Sequence, residues 1–186
     1  EEGRWDEADG YFERVLDMDA ENALAYLGKL MAELHIHAKA ELADQAEPFD
    51  DNQNYARVLR FADVGLKDQL EEYNRNIRYR RAEHVMQSAF GEAEYKEAAF
   101  LFGQIAGYKD AEEQQQKCLK QAKEIANRKI YLQATAGYIK KYDDIAALTI
   151  AVRKLASIPG YRDADEIKEE YEKQIRRLEL EHEKQE

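Results

Sequence analysis

Gly107-Tyr108-Lys109-Asp110-Ala111 and Gly160-Tyr161-Arg162-Asp163-Ala164 are two versions of one string, and the residues leading into them repeat as well. Ala98, Phe102 and Ile105 precede the first copy at the offsets at which Ala151, Leu155 and Ile158 precede the second. Steps of three and four mark one face of a helix. A chain that repeats a packing unit supplies a surface more readily than a catalytic pocket, because each copy buries its apolar face against its neighbours. Within the string, glycine suits the left-handed backbone at a helix C-terminus, where a Cβ would clash. Asp110 and Asp163 stand where the next helix needs an N-cap, and Glu113 and Glu166 complete capping-box spacing. Tyr108 and Tyr161 are placed to pack over the turn, while Pro159 helps to end the helix before it. Each string predicts a tight reversal between two antiparallel helices.

Composition points the same way. The 186 residues include only two prolines and nine glycines, which argues for long helices and few loops. Ala, Glu, Lys, Leu, Gln and Arg supply strong helix formers, and no run of alternating β-branched residues suggests a strand. The expected fold is all-α, with seven or eight helices in antiparallel hairpins forming a short, irregular solenoid that has room for one long central helix. With 28 Lys and Arg against 39 Asp and Glu, the formal net charge is −11. Such a chain repels phosphate backbones, so nucleic acid is not an expected partner. No stretch approaches the roughly 18 apolar residues of a membrane span, so direct membrane insertion is not expected of these residues. Cys118 is the single cysteine, which excludes an intrachain disulfide. No signal-peptide pattern opens the chain, and the expected location is the cytoplasm. Glu1-Glu2-Gly3-Arg4-Trp5 reads as the middle of a longer protein.

Three segments are expected: residues 1–47, half of a repeat unit plus the helix that follows it; 48–90, a long helical insertion or connector; and 91–186, two hairpins with a frayed acidic tail. Trp5, Ala8, Phe12, Val15 and Leu16 predict a helix from Arg4 to Met18. Asp19 is a candidate N-cap for the next helix, which carries Ala23, Tyr26, Leu27, Leu30, Met31 and Leu34 and is expected to fade near Gln45. Glu47 to Asp51, around Pro48, reads as a loop, with Asp50 or Asp51 capping the helix after it. From Asn52 to Phe90 the periodicity is unbroken, so one bent helix and two helices meeting at Val64-Gly65 both fit. A short helix through Tyr95 is expected to end at Gly107. The next carries Cys118, Leu119, Ala122, Ile125 and Ala126 and fades near Gly137. Asp143 or Asp144 starts another, and the last runs from Asp163 into a frayed tail over residues 179–186.

Gly3, Trp5, Asp6-Glu7, Ala8, Phe12, Val15 and Asp19-Ala20-Glu21-Asn22, with Ala25-Tyr26 beyond them, resemble the second half of a tetratricopeptide repeat and the opening of the next. Tyr95-Lys96-Glu97-Ala98 through Phe102 and Ile105 resembles the same half-repeat, with a glycine-tyrosine turn replacing that family's Asp-Pro. Ala20 stands where proline is usual, Gly28 is displaced from the family's glycine position, and the family's 34-residue period is absent. The chain is also similar to bacterial proteins in which divergent units with Gly-Tyr-Lys-Asp-Ala turns follow other domains. The resemblance implies stacked helical hairpins that bind protein segments, and it implies no catalytic residues. A first helix that is a repeat's second half would leave the face around Trp5 incompletely covered.

Few residues suggest chemistry. Glu33, His35 and His37 have ligand chemistry, yet on a helix two residues apart point about 200° apart and cannot clamp one ion. His84 lies on the apolar stride of its helix, which reads as a core or interface histidine, and Cys118 reads as a small buried hydrophobe. Nucleophilic triads, phosphate-cradling glycine loops and HExxH spacing are absent, so no enzyme, metal or cofactor is expected. The cluster Arg75, Arg78, Tyr79, Arg80 and Arg81 is the local anomaly in an acidic chain. It reads either as exposed pairing with Glu71, Glu72 and Glu83 or as a docking patch for an acidic peptide or phosphate-bearing ligand. Of the twelve tyrosines, Tyr55, Tyr79 and Tyr138 are the open candidates for partner contact. The expected function is a non-enzymatic scaffold for a protein or peptide partner. The alternatives are a self-assembling structural module with exposed repeat ends, or a sensor or regulatory domain of a larger membrane-linked bacterial protein.

Overall fold

The computed structural model describes residues 4–136 and 143–184. Among these the chain is all-helical, with no strand and with eight α-helices and one 3-10 segment. The helices are α1 (Arg4–Met18), α2 (Ala23–Glu33), α3 (Gln53–Phe61), α4 (Val64–Ser88), α5 (Glu92–Gly103), α6 (Ala111–Thr135), α7 (Ile145–Ala156) and α8 (Ala164–Glu183). The 3-10 segment Lys39–Asp44 lies between α2 and α3.

Short polar side chains cap the starts of four of the described helices. Asn22 caps α2 by accepting from the Ala25 N–H, whereas Asp19 accepts from the Glu21 N–H and the Asn22 amide and so shapes the turn before it. Asn52, not Asp50 or Asp51, caps α3, and Asp144 caps α7. Each of these caps satisfies an orphan N–H of the first turn. The segment from Asn52 to Phe90 is two helices. Ala62 is extended (φ −69°, ψ 158°) and the Asp63 carboxylate accepts from the Leu66 N–H at 2.8 Å. The break therefore rests on a cap, and Gly65 lies in the first turn of α4.

Helix α2 stops at Glu33, well before Gln45. His35 takes a left-handed φ of 55°, and the chain then buries Ile36 and, in the 3-10 segment, Leu42. Burying these two aliphatic side chains in the core outweighs continuing the helix, since each is worth about 1.5–3 kcal/mol when fully covered. At the other end α8 continues to Glu183 rather than fraying from residue 179. Gly137 and Tyr138 lie outside the described residues.

The repeated string is a double turn. Helix α5 ends at Gly103 and α7 at Ala156, four residues before each motif glycine. The Tyr108 N–H donates to Ile105 O at 3.0 Å around Gly107 (φ 81°), and the Tyr161 N–H donates to Ile158 O at 3.2 Å around Gly160 (φ 71°). Positive φ at the third residue is the requirement of a type II turn, and Pro159 occupies the second position that proline favours. A second turn comes directly after the first. The Ala111 N–H donates to Tyr108 O and the Ala164 N–H to Tyr161 O, both at 3.1 Å, with Lys109 at φ 49° and Arg162 at φ 52°. The glycines thus serve a turn beyond the helix end, not the helix terminus itself. Ala111 and Ala164 are fully buried at the start of the next helices.

The chain divides into two compact units, Glu1–Ala89 with Glu94–Cys118, and Phe90–Ala93 with Leu119–Glu186. The first holds two cores. One gathers Leu27, Leu30, Leu42, Val58 and Leu70 from α2, the 3-10 segment, α3 and α4. The other gathers Tyr79, Ala98, Phe102, Ile105 and Cys118. The second unit has its own core of Ala134, Leu148, Leu155, Ala164 and Tyr171.

Candidate functional site

The motif tyrosines sit in two copies of one cluster, each within its own unit. In the first, the Tyr79 hydroxyl donates to Asp110 Oδ1 at 2.5 Å and the Tyr108 hydroxyl donates to Glu72 Oε1 at 2.7 Å. The two rings meet edge to face at 6.0 Å, and Lys109 Nζ lies 4.6 Å from the Tyr79 centroid and 5.2 Å from that of Tyr108. In the second, Tyr131 donates to Asp163 Oδ1 and Tyr161 to Glu124 Oε1, each at 2.7 Å. Their rings lie 5.9 Å apart, and the Arg162 guanidinium lies 5.4 and 5.3 Å from them. A cation over a tyrosine face is attracted by the ring quadrupole, and the edge-to-face pair aligns the same quadrupoles.

Glu72 and Tyr79, and Glu124 and Tyr131, complete the repeat, and reading the string alone did not find them. Both pairs are seven apart, two helical turns, and the pairs are 52 positions apart. That shared spacing was the available signal. The aspartates do not cap their helices as expected: Asp163 makes no side-chain cap bond, and Asp110 accepts from Tyr79 and from Gln114 Nε2. Those two donors hold the Asp110 carboxyl below the usual range, Tyr79 first. Burial, then the bond to Glu72, pushes Tyr108 up to about 12. Tyr79, Tyr131 and Tyr161 are also raised, chiefly by their bonds to Asp110, Asp163 and Glu124. The tyrosine hydroxyls and the aspartates of both strings are thus engaged by the protein itself.

The arginine cluster is similarly engaged. Arg78 pairs with Asp50 at 2.7 Å, Arg81 with Glu47, and Arg80 donates to the carbonyls of Ala43 and Gln45 at 2.7 and 3.0 Å. Buried Asn74 accepts from the Phe49 N–H and donates to Asp50. Together these side chains bind the 3-10 segment and the Pro48 loop to α4. Arg75 keeps only a loose i,i+4 pair with Glu71 at 3.6 Å, while Glu72 is taken by Tyr108. Two of the aromatic candidates for partner contact are buried instead. Tyr79 lies in the core of the first unit, and Tyr55 is covered and packs edge to face on Phe49. His84 is exposed, so of the core and interface readings the core one does not hold.

A different surface is left uncovered by the described residues. Helix α1 contains no fully buried residue, and Met18, Leu24 and Tyr11 are 82%, 68% and 57% exposed. Phe12 lies flat on Gly28 of α2, so closely that a Cβ there would fall 2.2 Å from the ring. His35 and His37 lie beyond the end of α2, so helical spacing does not govern them, and both rings pack on Trp5, at 5.5 and 4.6 Å. Trp5 separates two recesses. One is apolar, lined by Phe12, Leu24, Met31 and Ile36. The other is lined by Asp6, Asp9, Lys29, Glu33 and His35. Lys29 bridges Asp9, at 3.2 Å, and Glu13, and Glu33 accepts from the amides of Asn52 and Asn54.

Among the described residues no group of three or more His, Cys, Asp or Glu side chains is placed to hold a metal ion. No described helix is long and apolar enough to cross a membrane. Cys118 is buried, which pushes its thiol pKa up and away from nucleophilic use. Comparison with protein-family models, with curated proteins and with solved structures found no match to this chain.

Proposed function

We propose that this chain is a non-enzymatic helical-repeat scaffold, built of tetratricopeptide-like hairpins in a short solenoid, that presents a helix surface to a protein or peptide partner. The observation that carries the reading is the duplicated double turn with its tyrosine–carboxylate cluster. Its charged and aromatic side chains are spent on joining helices, as expected of a repeat framework whose function lies on its outer faces. The uncovered face of α1 and α2 is the surface best suited to that role, since large exposed apolar patches mark interaction sites.

The same open face also favours self-assembly as a second reading. Sedimentation separates the two. The scaffold is expected to be monomeric at micromolar concentration and to retain a protein partner at one-to-one stoichiometry when immobilised. Concentration-dependent oligomers that weaken with Trp5→Ser would replace it with the assembly reading.

A further inference from the structure

The two recesses beside Trp5 differ in chemistry, and together they describe a ligand. On one side the walls are Phe12, Leu24, Met31 and Ile36, an apolar slot open to solvent at Leu24. On the other are Asp6, Asp9 and Glu33 around Lys29. Lys29 is already shared by Asp9 and Glu13. Asp6 is in no ion pair of the described structure, and Glu33 takes two neutral amides and no cation. Carboxylate charge therefore remains beside the indole.

We propose that this end of the α1–α2 hairpin docks a basic amphipathic helix of a partner protein, with apolar side chains in the Phe12–Leu24–Met31 slot and a Lys or Arg against Trp5, Asp6 and Glu33. This rests on the scaffold reading and names its partner's chemistry. Charge decides among the occupants. The chain carries −11 overall, so its field attracts a basic segment and speeds the encounter. A second copy meeting this face about a two-fold axis would set Asp6 and Glu33 of both chains together, with no added cation to offset them.

Trp5 is the single tryptophan of the chain, so its emission reports on the site directly. The probe is a synthetic peptide of leucine and lysine spaced to give one apolar and one basic helix face. Adding it is expected to shift Trp5 emission to shorter wavelength in a saturable, salt-sensitive titration. Leu24→Ser is expected to weaken binding about tenfold, by losing a buried leucine contact. Asp6→Asn should weaken it about two- to fivefold and reduce the salt dependence. Both positions are exposed, so melting should be unchanged, and Ile150→Ser in the second unit should leave binding intact. Several results would overturn the proposal: no emission change; equal binding of the peptide with serine for leucine or glutamate for lysine; or indifference to Leu24→Ser. An emission shift that depends on protein concentration without peptide would assign the face to a second copy. If the peptide fails while the immobilised chain still retains a partner regardless of Leu24→Ser, the scaffold reading stands and this docking site falls.

Discussion

Lys109 and Arg162 hold φ values of 49° and 52°, a left-handed conformation that costs a residue with Cβ about 1–2 kcal/mol. Glycine would remove that strain, yet both copies carry a long cation there, and both cations lie over a tyrosine pair. The contact offsets the strain. Lys109→Gly is therefore expected to change stability little, whereas Lys109→Ala keeps the strain, loses the cation and should cost about 0.5–1 kcal/mol. Urea midpoints of the two variants make the comparison, and an alanine variant as stable as the glycine one would contradict it. The same cluster sets an alkaline limit. Unfolded tyrosine ionises near 10, while folded Tyr108 holds its proton to about 12. Between those values the unfolded chain binds fewer protons, so stability is full below about pH 10 and falls as pH rises toward 12. Asp110, held low, acts in the opposite direction, and its contribution is lost in acid below the ordinary carboxylate range. Urea unfolding at stepped alkaline pH should show a shallower decline for Tyr108→Phe than for the natural chain.

At the scale of elements, α1 meets α2 closely where the Phe12 ring lies on Gly28. Gly28→Ala puts a methyl group into the ring and is expected to destabilise the hairpin by about 1–3 kcal/mol. Combined with Phe12→Leu the cost should be less than additive, because the two changes act on one contact. Additive melting shifts would show that Gly28 matters for another reason. The elements also show how much local sequence can specify. Periodicity and breakers located α1, the start of α7 to within Asp143 or Asp144, and the loop at Pro48, since helix faces and breakers act over a few residues. It misplaced the end of α2, because Ile36 and Leu42 leave the helix for a core assembled from α3 and α4. Asp19 and Asp50 or Asp51 were the expected caps, and Asn22 and Asn52, of equal capping chemistry, take those places. Which one caps depends on the turn that precedes it.

For the whole molecule, the buried residues fall into cores that keep within their units. Leu155→Ala, at a fully buried position, is expected to cost about 2–5 kcal/mol. Hydrogen exchange should rise over residues 145–183 and stay unchanged over residues 23–61. A uniform rise would mean that the chain unfolds as one cooperative body. Three of the arginines that suggested a binding patch find their partners at this scale: Asp50, Glu47 and two carbonyls lie some thirty residues upstream. The surface beside Trp5 was legible only as an expectation of poor cover. Its histidines were placed by a backbone reversal at His35 that no periodicity announces. By itself the sequence determined the helical class, the repeated turn and the buried faces leading into it, because glycine geometry, capping side chains and helix periodicity are local. Only the tertiary structure decided what Tyr79, Glu72 and the arginines do, and which apolar face stays open. Those outcomes depend on hydrogen-bond partners and cover brought together from distant parts of the chain.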